Sequence, residues 1–183
     1  MPNWCYNTTR FSHPDKTKVD ALIAELNKGK EAALFESLHP MPVELRETKA
    51  PNDNTEHANS LIEKYGYGDW YTWALNEWGT KWDAGINSFE EDDSGDVFVS
   101  FETAWGPPIA LYDKLVAEGW RVYSTYIEEG MCFVGEYDDG IDECYDYSDA
   151  TSETIGSYVP EHLDEEYGIS ENMREWEEND EEL

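Results

Sequence analysis

Basic residues are scarce in this 183-residue chain: twelve Lys and Arg face forty-two Asp and Glu, leaving a formal net charge of −30. That scarcity argues against a direct nucleic-acid binder, because binding DNA requires Lys and Arg to neutralise phosphates. The bases are dispersed, apart from Lys16, Lys18, Lys28 and Lys30 around the first expected helix. Cysteine is scarce too. Cys5, Cys132 and Cys144 fall at unrelated spacings with no C-x-x-C pair, which speaks against a disulfide framework, a zinc site and an iron–sulfur cluster. A reducing cytoplasm is the expected compartment. Long apolar runs are missing: those present are a few residues long, such as Ala21 to Ala24, whereas a membrane span needs about 20. The opening Met1-Pro2-Asn3-Trp4 lacks the basic, apolar and small-residue succession of a secretory signal, so none is expected.

Catalytic signatures are absent as well. The chain has no Ser-x-x-Lys, nucleophile elbow, H-E-x-x-H or phosphate loop. His13, His39, His57 and His162 are scattered. Carboxylates are so numerous that no pair is marked out for glycoside hydrolysis. Asp138-Asp139-Gly140-Ile141-Asp142-Glu143 and Glu90 to Asp96 place oxygen ligands near glycines, but without the EF-hand spacing. Weak cation binding is expected there, and a built metal site is not. The expectation is a non-enzyme without cofactor or metal.

What the chain does have is aromatic mass. Eight Trp and twelve Tyr contribute to 14% aromatic residues, more than a disordered chain carries, so most of it folds around a core. The charge far exceeds the magnitude of about 2–8 that suits a small domain, and such self-repulsion destabilises a compact state. A salty habitat, bound cations or a basic partner would offset it. A salty habitat alone explains neither the aromatic content nor the excess of Glu over Asp.

Periodicity outlines the fold. Asn3 to Phe11 alternates and is rich in aromatic and β-branched residues, a strand. Asp15 to Asn27 carries Val19, Leu22, Ile23 and Leu26 at helical spacing, with Gly29 at the stop. Residues 30 to 69 read as an insertion broken by His39-Pro40-Met41-Pro42. Trp70, Trp73, Trp78 and Trp82 fall near one side of a helix interrupted at Gly79, a buried seam in preference to a stacking platform for a ligand. Ala84 to Phe89 and Val97 to Phe101 flank an acidic turn, a hairpin. Pro107-Pro108 opens a helix to Ala117, and strands follow at 120–127 and 131–137. The order β-α-(insertion)-β-β-α-β-β predicts an α+β class: a ferredoxin-like antiparallel sheet over residues 1–137 with one added strand.

Three motifs support that plan. Met1-x-Asn3-Trp4-Cys5-x-Asn7, Asn76-Glu77-Trp78-Gly79-Thr80-Lys81-Trp82-Asp83-Ala84 and Phe101-x-Thr103-Ala104-Trp105-x-Pro107-Pro108 stand in order along the chain. Together they resemble the small phage- and plasmid-encoded proteins with a YubB-type ferredoxin-like domain. The resemblance implies the fold and a mobile-element origin, and it carries no catalytic residues. Read physically, the glycine of the second motif permits a sharp turn, its tryptophans supply buried area, and the third hands a strand to a helix.

From Asp138 the composition shifts. The last 46 residues hold 18 acids and one Arg. Pro160 to Tyr167 and Ser170 to Asn179 read as short helices, with Gly168 ending the first and Ser170 capping the second. Leu163, Tyr167, Met173 and Trp176 would dock them; an undocked acidic tail is the alternative. Asp138, Asp139, Asp142, Glu143, Glu161, Asp164, Glu165, Glu171, Glu175, Glu178 and Glu182 are the candidate partner-binding residues. Laid end to end, the two helices would span about 27 Å, near one duplex turn of about 34 Å. The expected function is that of a phage or plasmid accessory protein: an acidic DNA mimic inhibiting a basic host DNA-binding, nuclease or defence protein in the host cytoplasm. No membrane partner is expected, and a homodimer is left open. The competing expectation is a non-catalytic adaptor that meets its partner through exposed Trp70, Trp73 or Trp176.

Overall fold

The computed structural model describes residues 3–181. Its central strand, β1 (Trp4–Ser12), alternates as the sequence does: Cys5, Asn7, Thr9 and Phe11 are buried, while Trp4, Tyr6, Thr8 and Arg10 are exposed. Successive side chains on a strand point to opposite faces, so only one face of β1 meets a core. The other strands are β2 (Gly85–Glu91), β3 (Val97–Ala104), β4 (Arg121–Glu128), β5 (Phe133–Asp138) and β6 (Ile141–Asp146). They form one sheet in the order β2-β3-β1-β4-β5-β6, and every neighbouring pair is antiparallel. The chain is an α+β protein with a six-stranded antiparallel sheet.

Helices α1 (Lys16–Leu26), α2 (Leu34–Leu38), α3 (Val43–Arg46), α4 (Thr55–Tyr65), α5 (Trp70–Glu77) and α6 (Ile109–Ala117) precede or interrupt the strands. The larger core takes Leu22 from α1, Phe35 from α2 and Leu111 and Leu115 from α6 against Phe11, Val99 and Phe101 of the sheet. Carboxylates fasten the segment between α1 and β2. Asp83 accepts the Phe35 and Glu36 amides at 2.8 and 3.0 Å, capping α2. Glu77 accepts from Tyr67 Oη at 2.6 Å and Lys114 Nζ at 2.7 Å, with His39 Nε2 at 3.0 Å.

The tryptophan seam is only partly as expected. α5 stops at Glu77, and Trp78 follows as its C-cap. Gly79 has φ +86°, and a Cβ there would lie 3.2 Å from the Ala110 amide, so glycine serves both the turn and the close approach to α6. Trp73 and Trp78 pack edge to face at 5.2 Å, whereas Trp82, carried beyond the helix, is 41% exposed.

The acidic C-terminal region continues the fold. Its first residues pair as β6 along β5, so the sheet gains two strands beyond β4 where one was expected. Asp139 and Gly140, at φ 44° and 108°, form the two-residue hairpin turn that an Asp-Gly pair favours. Across β5, Tyr126 reaches Asp142 at 2.6 Å, and its ring lies over Gly135, where a Cβ would sit 2.4 Å from the phenol oxygen. Beyond β6, a short 3-10 turn (Ile155–Ser157), α7 (Glu161–Tyr167) and α8 (Ile169–Glu181) follow. Ile155, Val159, Leu163 and Ile169 bury themselves against Ile127, Val134 and Tyr147. This second core lies on the face opposite the first, because Ile127 and the first core's Val122 stand an odd number of residues apart along β4.

Candidate partner-binding surface

The acidic candidates divide by what their carboxylates already hold. Asp139 accepts the Val122 amide at 2.7 Å and pairs with Arg121. Asp142 holds the Tyr126 hydroxyl. Asp164 accepts the Ser170 amide at 2.7 Å. These three are fold-building groups. Asp138, Glu143, Glu161, Glu165, Glu171, Glu175 and Glu178 are exposed. Glu182 lies outside the described residues.

The Asp164 contact corrects the expected capping. α8 begins at Ile169, and Asn172 donates to the Gly168 carbonyl at 3.0 Å. Ser170 is therefore already inside the helix, and a carboxylate from the preceding helix satisfies its free amide. Gly168 sits at φ 61° and donates to the Asp164 carbonyl, closing α7 in a left-handed cap. The two helices are thus separate, interrupted at the left-handed Gly168 as the sequence predicts.

α8 carries two stripes. Ile169, Met173 and Trp176 follow one another at steps of four and three, as do Glu171, Glu175 and Glu178 on the opposite side. The apolar stripe fades outward: Ile169 is buried, Met173 half-buried, and Trp176 76% exposed. Six acids and Arg174 leave α8 with −5 by sequence, spread over about 20 Å of helix. That is one charge per about 4 Å against one per about 1.7 Å for B-DNA. Helix α8 alone does not reach duplex charge density; exposed acids of α7 and β6 have to contribute.

Both helices are tied to neighbouring segments, α8 through Glu177 and α7 through Glu166 and Tyr167. Glu177 accepts the Ser152 amide at 2.9 Å and its hydroxyl at 2.5 Å, and these bonds hold its carboxyl below the usual glutamate range. Behind it, Thr125 donates to Glu166 at 2.7 Å and Tyr167 to Thr125 at 3.0 Å. Between α8, the β4–β5 turn and the segment after β6 lies an open cavity of 530 Å³. Ile127, Cys132, Tyr147, Ala150, Met173 and Trp176 form its apolar lining, with Glu129, Ser148, Asn172 and Glu177 at its polar positions. Burial first, and then the Asp146 and Glu128 carboxylates, push the Cys132 thiol up. Burial likewise raises the Tyr147 phenol, with Cys132, Glu129 and Glu128 adding to the effect.

Of the tryptophans proposed as an aromatic contact surface, Trp73 is buried and Trp70 half-buried; Trp176 is the exposed one. Sequence reading missed the groove beneath Trp176. The available signal is the steps of four and three along α8, which place Ile169, Met173 and Trp176 on one side of the helix. The three motifs meet at one corner instead. Asn7 Nδ2 donates to Thr103 Oγ1 at 2.9 Å, Thr103 to the Gly106 carbonyl at 2.8 Å, and the Trp105 amide to the Asn3 carbonyl at 2.9 Å. Gly79 closes the same corner against α6. These contacts are folding devices. Among the described residues no group of three or more His, Cys, Asp or Glu is arranged to hold a metal ion, and no helix is long and apolar enough to cross a membrane.

No family model matches the chain, and no curated protein does. Among solved structures it is similar to the crystal structure of a protein api92 from Yersinia pseudotuberculosis, of the family DUF1281, at 10% identity. The similarity covers 81% of this chain and 99% of that one with a TM-score of 0.38, a level that carries no argument about function.

Proposed function

We propose that this protein is an acidic DNA mimic, which inhibits a host defence or DNA-processing protein by occupying its basic nucleic-acid-binding surface. The observation that carries the reading is the docked α8, which buried Ile169 and half-buried Met173 anchor while Glu171, Glu175 and Glu178 face away from them. Carboxylates on an anchored helix lose less conformational freedom on binding than those of a loose tail. Exposed Glu161, Glu165, Asp138 and Glu143 extend the field around it. The shortage of bases, and the resemblance of the three motifs to phage- and plasmid-encoded proteins, support a mobile-element origin.

The sheet supports a finer structural reading. Strand β3 is antiparallel to both β1 and β2, and β1 lies between β3 and β4. With α1 and α6 in the two crossovers, the order β2-β3-β1-β4 fits a ferredoxin-like unit, to which β5 and β6 are added.

The test is charge neutralisation on an intact fold. Glu171→Gln, Glu175→Gln and Glu178→Gln together should leave the circular-dichroism spectrum and melting temperature near wild type. Capture of the basic partner should be lost. Undiminished capture by the folded triple variant refutes the reading. The 76% exposure of Trp176 favours a second reading, an adaptor bound through apolar surface; its signature is a complex that high salt does not dissociate.

A further inference from the structure

The groove beside α8 leaves apolar surface uncovered next to the second core. Its floor is Ile127 of β4 and Tyr147 after β6, and its outer wall is Met173 and Trp176. The volume, 530 Å³, falls within the range of about 300–1,000 Å³ typical of ligand pockets. One wall ends in a tryptophan with most of its surface in water, although tryptophan carries 150–250 Å² of area that gains from burial. Of the polar lining residues, Ser148 and Asn172 are neutral and Glu129 and Glu177 are acidic. Glu129 is exposed, and among the described residues no side chain donates to its carboxylate. Asp146, next to the lining residue Tyr147 in sequence, accepts hydrogen bonds at its side chain from Ser148 of its own turn alone among the described residues. No lining residue is basic.

We infer that this groove seats an apolar anchor side chain of a cationic peptide segment, with Trp176 closing over the anchor and the acidic rim receiving the flanking Lys or Arg. The inference deepens the proposed function and rests on it: the segment belongs to the basic partner. Charge selects the occupant. A second copy would bring another −30 against the same rim, and acidic or nucleic-acid ligands meet the same repulsion. A cationic segment gains from the rim and from the face of Trp176, since cations are attracted to indole rings. Mimicry alone gives attraction that any polycation satisfies; an apolar seat within the acidic surface adds a requirement for one side chain at one place.

Full-length protein is titrated by calorimetry with four synthetic peptides of equal length: Lys/Arg-rich with one central Leu, the same with central Ala, oligolysine, and a Glu-flanked central Leu. The Leu-centred cationic peptide should bind about tenfold tighter than the Ala-centred one, as burying a leucine side chain requires. Trp176→Ala and Asn172→Arg, both at exposed positions, should abolish that difference while the weaker binding of oligolysine persists in Trp176→Ala. Equal affinity for Leu- and Ala-centred peptides overturns the inference and leaves the charge-based function standing. Failure of every cationic peptide to bind overturns both. Equal binding of the Glu-flanked peptide makes the groove blind to charge and overturns the inference, as does self-association in sedimentation that Trp176→Ala abolishes.

Discussion

Leu163→Ala tests whether the acidic region is part of the fold or a satellite hung upon it. Leu163 is fully buried among Ile127, Val134, Val159 and Ile169. Truncating a buried leucine to alanine costs about 2–5 kcal/mol. The second core is small, with seven buried side chains, and its polar ties to the sheet are few: Thr125 to Glu166, Tyr167 to Thr125, His162 with Glu136, and the Tyr147 amide to the Cys132 carbonyl. A unit of that size opens at lower free energy than the main core. The loss should therefore appear first as undocking of α7 and α8, with the sheet intact. Hydrogen exchange read by mass spectrometry measures it: protection across residues 161–176 should fall by about thirtyfold or more, the equivalent of about 2 kcal/mol. Protection in β1 and β3 should stay near wild type. Unchanged protection in α7 refutes the packing argument. An equal loss in β1 refutes the separation into two cores.

Gly135→Ala places a methyl 2.4 Å from the Tyr126 oxygen and 2.5 Å from the Glu143 carbonyl; overpacking of this kind costs about 1–3 kcal/mol, measurable as a lowered urea midpoint, and an unchanged midpoint would refute the close approach. Burial opposes ionisation of Glu77, but hydrogen bonds from Lys114, Tyr67 and His39 outweigh it and hold its carboxyl below the ordinary glutamate value. A depressed folded value means stabilisation that is complete above the unfolded pKa of about 4.3 and lost as pH falls through the folded one. The stability advantage of wild type over Glu77→Gln should hold at neutral pH and shrink on acidification, in urea melts across that window; an advantage that grows in acid would contradict the assignment. Raising salt from about 0.01 to 1 M shortens the screening length from about 30 to 3 Å, so the −30 chain should melt several degrees higher at the upper concentration, as scanning calorimetry would record.

Local chemistry made much of the fold legible. The alternation of β1 reports its one-sided burial, and Asp15, where the helical spacing starts, caps α1 by accepting the Thr17 amide. Helix α5 was overextended because tryptophan spacing continues past Glu77, while the left-handed Gly79 and its contact with α6 stop the helix. Strand β6 was hidden for a different reason. Ile141 is its one aliphatic residue, most of its side chains face water, and its acids read as extension; pairing with β5 is a tertiary fact that edge-strand composition does not encode. At the candidate surface, sequence located the acids and the exposed Trp176. It did not separate free carboxylates from those holding Val122, Tyr126 and Ser170, because the donors lie on other elements. The groove, assembled from β4, two turns and α8, has no contiguous signature.

Competition with duplex DNA for one purified basic partner tests the central claim most directly. The partner is captured on the immobilised protein, and its affinity is followed against DNA concentration and ionic strength. Mimicry predicts mutual exclusion of protein and DNA, with binding that weakens steeply as salt rises. A ternary complex with DNA, or an affinity indifferent to salt, would contradict it.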